Sequence, residues 1–213
     1  MYIPTQFAED RLPVLHDAIR QAGIANLVTT GPDGIVASPL PLMLDPDAGL
    51  YGTLFGHLAR GNPQWRTSDT AIEALAIFMG PDAYVTPSYY ETKRETGRVV
   101  PTWNYVTIHA YGPITFSDDL TRLLDFVTRL TARHEDGRAV PWQVSDAPAA
   151  FTQGQLKGII AFELPITRLQ GKWKMSQNRP MADRAGVIAG LRADGNEAAA
   201  TIVEDRIAAE TAG

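Results

Sequence analysis

Residues 99–112, VVPTWNYVTIHAYG, read as a β-strand, yet they carry Trp103, Asn104, Tyr105, His109 and Tyr111. Side chains alternate along a strand. Trp103, Tyr105, Thr107, His109 and Tyr111 therefore share one face, and Thr102, Asn104, Val106, Ile108 and Ala110 share the other. An aromatic face with polar tips suits a flat ligand or a partner surface. A strand at a subunit interface gives the same pattern.

Three further segments hold groups suited to an anion or a ligand edge. In GHLARGNPQW (56–65), Asn62 is a helix N-cap and Pro63 a first helical residue. A helix N-terminus offers free N–H groups, His57 and Arg60 stand just before it, and Gly56 and Gly61 permit close backbone approach. The set suits a phosphate; a capped surface helix with an arginine nearby is the plainer reading. In RLQGKWKMSQNRP (168–180), Arg168, Gln170, Lys172, Lys174 and Ser176 alternate onto one face, with Leu169, Trp173 and Met175 opposite as core. A solvated charge face explains Lys172, but the clustering of Lys174, Ser176, Gln177 and Asn178 exceeds what solubility needs. In Ser38-Pro39-Leu40-Pro41, two prolines of the same parity remove two donors from one strand edge. That edge faces either solvent or a gap beside a ligand.

Other chemistries are missing. The chain has no G-x-G-x-x-G, no P-loop and no G-x-S-x-G. The four histidines (His16, His57, His109, His134) show no H-x-x-x-H spacing. His16 and His134 fall on predicted helices and read as surface residues. No catalytic residue is assigned: His109 is the best acid–base candidate, set against a structural histidine on a strand. Glu163 has no visible partner carboxylate.

The elements that must position these groups follow from the hydrophobic pattern. Residues 10–22 form a helix with Leu12, Leu15 and Ile19 on one side and Gly23 as its stop. Residues 24–30 and 35–44 form a hairpin around a GPDG turn, and strands follow at 50–55, 71–79 and 101–116. Leu120, Leu123, Leu124, Val127 and Leu130 give a helix over 118–133, and residues 137–156 are irregular or weakly helical. Residues 158–175 form a last strand, bent at Pro165. From Pro180 the pattern turns helical and alanine-rich. Strands in hairpin order with interspersed helices argue for an antiparallel barrel and against a βαβ sheet.

At 213 residues the chain suffices for one compact domain, divided here as 1–178 and a helical extension, 179–213. A net charge of −5 gives no global basic field for nucleic acid. The absence of cysteine removes disulfides, thiolate metal sites and cysteine nucleophiles, and fits a cytoplasmic protein. No signal peptide or membrane-spanning run is visible.

MYIPTQF at the start, GHLARGNPQW, FMGPDAYVTPSYY, VVPTWNYVTIHAYG and GKWKMSQNRP occur in that order over residues 1–180. In these motifs the chain resembles the PaiB-like FMN-binding negative transcriptional regulators, within the FMN-binding split-barrel group that includes pyridoxamine-phosphate oxidase. The resemblance implies a mainly β (α+β) fold, an antiparallel split β-barrel of about six strands with flanking helices and a helical tail. It also implies a homodimer with two FMN sites between subunits, and DNA as a partner. Carried onto this sequence, His57, Arg60 and Asn62 would take the phosphate. Thr102, Trp103 and Asn104, with the edge at Ser38, Pro39 and Leu40, would take the ring. Lys174, Ser176, Gln177 and Asn178 would close the site from the second subunit, and residues 105–111 would face that subunit. Two other functions stay open: a flavin-dependent oxidoreductase, and a haem protein with His57 or His109 as axial ligand.

Overall fold

The computed structural model describes residues 1–211; Ala212 and Gly213, the end of the expected extension, lie outside the described residues. The chain runs through β1 (Ala8–Glu9), α1 (Leu12–Gln21), β2 (Ala25–Gly31), β3 (Gly34–Leu40), β4 (Met43–Asp45), β5 (Thr53–Ala59), α2 (Gln64–Thr67), β6 (Ala74–Val85) and α3 (Glu91–Thr96). It continues through β7 (Thr102–Gly112), β8 (Thr115–Ser117), α4 (Leu120–Glu135), α5 (Ala149–Leu156), β9 (Ile159–Pro165), β10 (Arg168–Lys174), α6 (Met181–Ala193) and α7 (Glu197–Thr211). The mainly antiparallel α+β class holds, with several of the ten strands only two or three residues long.

The described residues form two compact units. The first comprises residues 1–21, 79–109 and the chain from Gln170 onward; the second comprises 22–78 and 110–169. In the first, the strands run in the order β1-β10-β7 and then the latter half of β6. Leu15 and Ile19 of α1 are buried, as the helical spacing requires, and so is His16 (6% exposed). The expectation of a surface His16 fails because position 16 lies beside that apolar stripe; His134 is exposed as expected. Helices α6 and α7 belong to this unit and bury Val187, Leu191 and Val203.

A carboxylate ties the two ends of the first unit together. Glu9 is buried and accepts from the Arg11 backbone N–H (3.0 Å), from the Arg11 guanidinium (2.9 and 2.7 Å) and from Arg206 of α7. The Arg206 guanidinium lies 5.3 Å from the centre of the Trp173 ring. Burial alone would raise the Glu9 pKa, but the two guanidinium groups outweigh it and bring it down to about 2.

In the second unit the start of β6 pairs with β2, and β2 with β3, while β4-β5-β9-β8 form a separate sheet. The predicted strand 35–44 breaks at Pro41. Its first half, β3, is the terminal strand of its sheet, and its second half, β4, enters the other sheet. Proline cannot donate to a ladder, so the chain changes sheets where two donors are missing. The predicted strand 158–175 divides in the same way after Pro165, into β9 and β10. A Cβ on Gly112 would lie 2.0 Å from the Pro165 carbonyl oxygen. Gly112→Ala is therefore expected to cost about 2–4 kcal/mol of stability, read as a lower urea midpoint.

Candidate functional site

The alternation expected for β7 is present except at Thr107, which is buried: Asn104, Val106, Ile108 and Ala110 are buried, whereas Trp103 is exposed and Tyr105, His109 and Tyr111 are half-buried. Strand β10 is its hydrogen-bonded neighbour, and the cationic stripe of β10 lies along the aromatic stripe of β7. Arg168 stands 3.5 Å from the Tyr111 ring centre, Lys172 5.2 Å and Lys174 5.8 Å from that of Tyr105. Such contacts contribute about 0.5–2 kcal/mol each, more as water is excluded. Lys172 is only 8% exposed, which corrects the solvated reading of that residue. Its stem and ammonium are covered by Tyr105 and, at 5.8 Å, by Tyr2.

The loop after β10 returns to the start of β7. The Lys174 ammonium donates to Thr102 Oγ1 and to the Trp103 carbonyl. The buried Ser176 hydroxyl donates to Asn104 Oδ1 at 3.1 Å. Ser176 is held at φ 64°, a left-handed conformation that a non-glycine residue adopts at a cost of order 1 kcal/mol. Thr102, Trp103, Asn104, Lys174 and Ser176 thus meet within one chain, where the expectation had Lys174 and Ser176 arriving from a second subunit. Gln177 is taken up by its own loop, accepting from Met175 N–H and donating to the Trp173 carbonyl, both at 2.6 Å. Asn178 is exposed. Trp173 and Met175 are core, as their parity requires.

Two features of this cluster point to a ligand. Asn104 is fully buried, yet its Nδ2 has no hydrogen-bond partner among the described residues. An orphaned amide donor costs about 1–3 kcal/mol, which an acceptor on a ligand would recover. Lys172, Lys174 and Arg179 also pair with no carboxylate among the described residues. Burial lowers the Lys174 pKa, and the like charges of Lys172 and Arg179 lower it further. An electron-rich group placed there would relieve both effects. Beside it Trp103 exposes its indole, edge-on to Tyr84 at 5.9 Å.

The second expected cluster divides. The His57 ring packs T-shaped on Phe126 of α4 at 5.6 Å, and burial lowers its pKa. Arg60 donates from Nε to the Lys157 carbonyl at 2.7 Å and lies 3.6 Å from Asp118. Asn62 goes elsewhere: its Nδ2 donates to Ser38 Oγ (2.9 Å), and its Oδ1 accepts the Gln64 N–H (2.9 Å). The expected anion-ready helix is only the four-residue α2, one of whose N–H groups Asn62 already caps. Arg60 and Asn62 are thus engaged by other groups, while the buried His57 Nδ1 has no hydrogen-bond partner among the described residues. Pro39 is exposed and Leu40 half-buried on the terminal strand.

Gln64, which the sequence did not single out, organises this region. Fully buried, it accepts from Ser38 Oγ (2.6 Å) and donates to the Leu27 carbonyl (3.1 Å) and Thr29 Oγ1 (3.0 Å). Gln64→Leu strands these partners and is expected to cost about 2–4 kcal/mol, measured by urea unfolding. Arg179, with its guanidinium 4.5 Å from the buried Tyr90 ring centre, was also missed as a site residue. The sequence offers Arg179 only as the last member of the donor-rich run Ser176-Gln177-Asn178-Arg179, without a role.

Residues 1–168 match the family described as "Putative FMN-binding domain". The chain belongs to this FMN-binding family. Its cofactor is accordingly FMN. Among relatives of the FMN-binding chain, protein AN0679 of Emericella nidulans is 37% identical over 97% of both chains. The protease synthase and sporulation protein PAI 2 of Bacillus subtilis is 31% identical over 97% of this chain and 98% of its own. The PaiB-like resemblance is thus borne out. In fold, the chain is similar to the flavocytochrome Anf3 from Azotobacter vinelandii (TM-score 0.57, 9% identity, 78% of this chain and 69% of that one). It is also similar to the FAD and heme binding protein from Mycobacterium smegmatis (TM-score 0.54, 18% identity, 78% and 71%). The fold is the split-barrel one expected. No helix among the described residues is long and apolar enough to cross a membrane.

Proposed function

We propose that the Lys174–Asn104 cluster holds the ring system of FMN and that the protein is a flavin-dependent regulator. The carrying observation is the buried, unpartnered Asn104 amide beside three cations that have no carboxylate. Bound FMN supplies one- and two-electron redox chemistry. The chain supplies the surroundings: Asn104 donates to an acceptor on the ring edge and Lys174 fixes positive charge beside it, while Trp103 stands on the opposite, exposed face of β7. Lys172 and Arg179 add to that field. Among the described residues the cluster holds no carboxylate or imidazole to move a proton, which favours binding and sensing over turnover.

The Bacillus relative is named a protease synthase and sporulation protein, and control of such processes from the cytoplasm is the role this reading gives the chain. Homodimerisation belongs to the same reading: Met79, Tyr84 and Trp103 leave apolar surface exposed in the first unit.

Three measurements on purified protein test the proposal. Gel filtration should give a dimer mass. A gel shift on upstream DNA at physiological salt should be saturable and should change with the flavin redox state. NAD(P)H- or oxygen-coupled turnover should be absent. Sustained turnover on the order of 1–1,000 per second without DNA binding would replace the regulator with an oxidoreductase.

A further inference from the structure

The second unit contains a cavity that the flavin residues do not touch. Its volume is about 620 Å3, within the range of small-molecule sites. Leu124, Thr128, Thr131 and Ala132 line one side, at spacings that share a face of α4. Thr152 and Leu156 of α5 line the facing side, and the loop 141–147 closes the end. That loop is pinned. The Trp142 N–H donates to Glu135 (3.1 Å), and Gln143 and Asp146 bond each other reciprocally at 2.9 Å. The cavity is therefore built before any ligand arrives, which lowers the ordering cost of binding.

Its charge is one-sided. Asp136 is the only ionisable side chain in the lining, and it has no ion pair or hydrogen-bonded partner for its carboxylate among the described residues. The arginines around it are engaged elsewhere: Arg129 with Asp125, Arg133 with the Leu42 carbonyl and Arg138 with Glu135. Trp142, about half-exposed, brings a ring to the same lining. An exposed, unpaired carboxylate, an indole face and walls that mix Leu124, Ala132 and Leu156 with Thr128, Thr131 and Thr152 together favour a cation with a mainly apolar body.

We propose that this cavity is a second ligand site, for a small organic ammonium ion bearing an alkyl or aryl chain. The proposal is independent of the FMN reading. The test is calorimetric titration of the FMN-loaded protein with octylammonium, octanol and octanoate. Octylammonium should bind at least about tenfold more tightly than octanoate. Asp136→Asn should remove that preference while octanol binding persists. Thr128→Trp, or the milder Ala132→Leu should the first not fold, should abolish binding of all three with FMN uptake unchanged. Octanoate binding as well as octylammonium, no binding of octylammonium at millimolar concentration, or binding that survives the filling variants would overturn the proposal.

Discussion

Replacing Glu9 with Gln is expected to lower the unfolding free energy at neutral pH by about 2–4 kcal/mol, an effect that acid should remove. Glu9 is buried between Arg11 and Arg206, and the neutral amide would leave both guanidinium groups without their counter-charge. Because Arg206 lies on α7 and Glu9 on β1, the loss should loosen the C-terminal helix first. Hydrogen exchange of α7 amides should show it. The pH dependence follows from the same contact. The native carboxyl takes up its proton near pH 2 and an unfolded one near 4.5. The contact is fully stabilising above pH 4.5, and its contribution, about 3 kcal/mol, is lost as pH falls through 2. Glu9→Gln should therefore flatten the stability profile between pH 4.5 and 2, while the profile above pH 5 keeps its shape.

Lys174→Met is expected to weaken FMN binding about 10–100-fold, the contribution of a partly buried charge-assisted contact. The side chain packs beside Tyr105 and the substitution keeps most of its aliphatic bulk, so the fold should survive. If the ammonium meets the ring, riboflavin should lose as much affinity as FMN; if it meets the phosphate, only FMN should lose. The ring assignment predicts equal losses. The sign of the pH dependence also follows. Burial and the neighbouring Lys172 and Arg179 lower the Lys174 pKa in the free protein, so the charged, binding form is lost earlier than for an ordinary lysine as pH rises. Affinity should fall on the alkaline side below 10.5, and the Lys174→Met variant should lack that limb.

Much of this arrangement was legible in the sequence because it rests on strand parity. The aromatic stripe of β7 and the cationic stripe of β10 were both readable as period-two patterns. What parity could not show is that the two strands are neighbours, which turns two stripes into cation–aromatic contacts and buries Lys172. Pro39 and Pro41 marked an edge correctly, for proline's missing donor is a local property. The His57–Asn62 loop misled for the opposite reason. The helix starts one residue later than expected, with Pro63 and not Asn62 at the cap position, although Asn62 Oδ1 still accepts the Gln64 N–H, and four-residue α2 is too short to offer an anion site. His57, on β5, packs against Phe126 of α4, and Arg60, just past the strand, is engaged by the Lys157 carbonyl and Asp118. Gln64 and Glu9 had no sequence signal, because a buried polar residue is recognisable only by the partners that long-range packing brings to it.

The most direct test of the flavin site is the side-chain amide resonance of Asn104, assigned by comparison with Asn104→Asp and followed by NMR during titration with FMN. The predicted result is a large shift of the Asn104 Nδ2 protons that saturates with FMN binding and appears with riboflavin, but not with inorganic phosphate. An Asn104 amide that stays unmoved while FMN saturates the protein would place the flavin elsewhere and contradict the assignment.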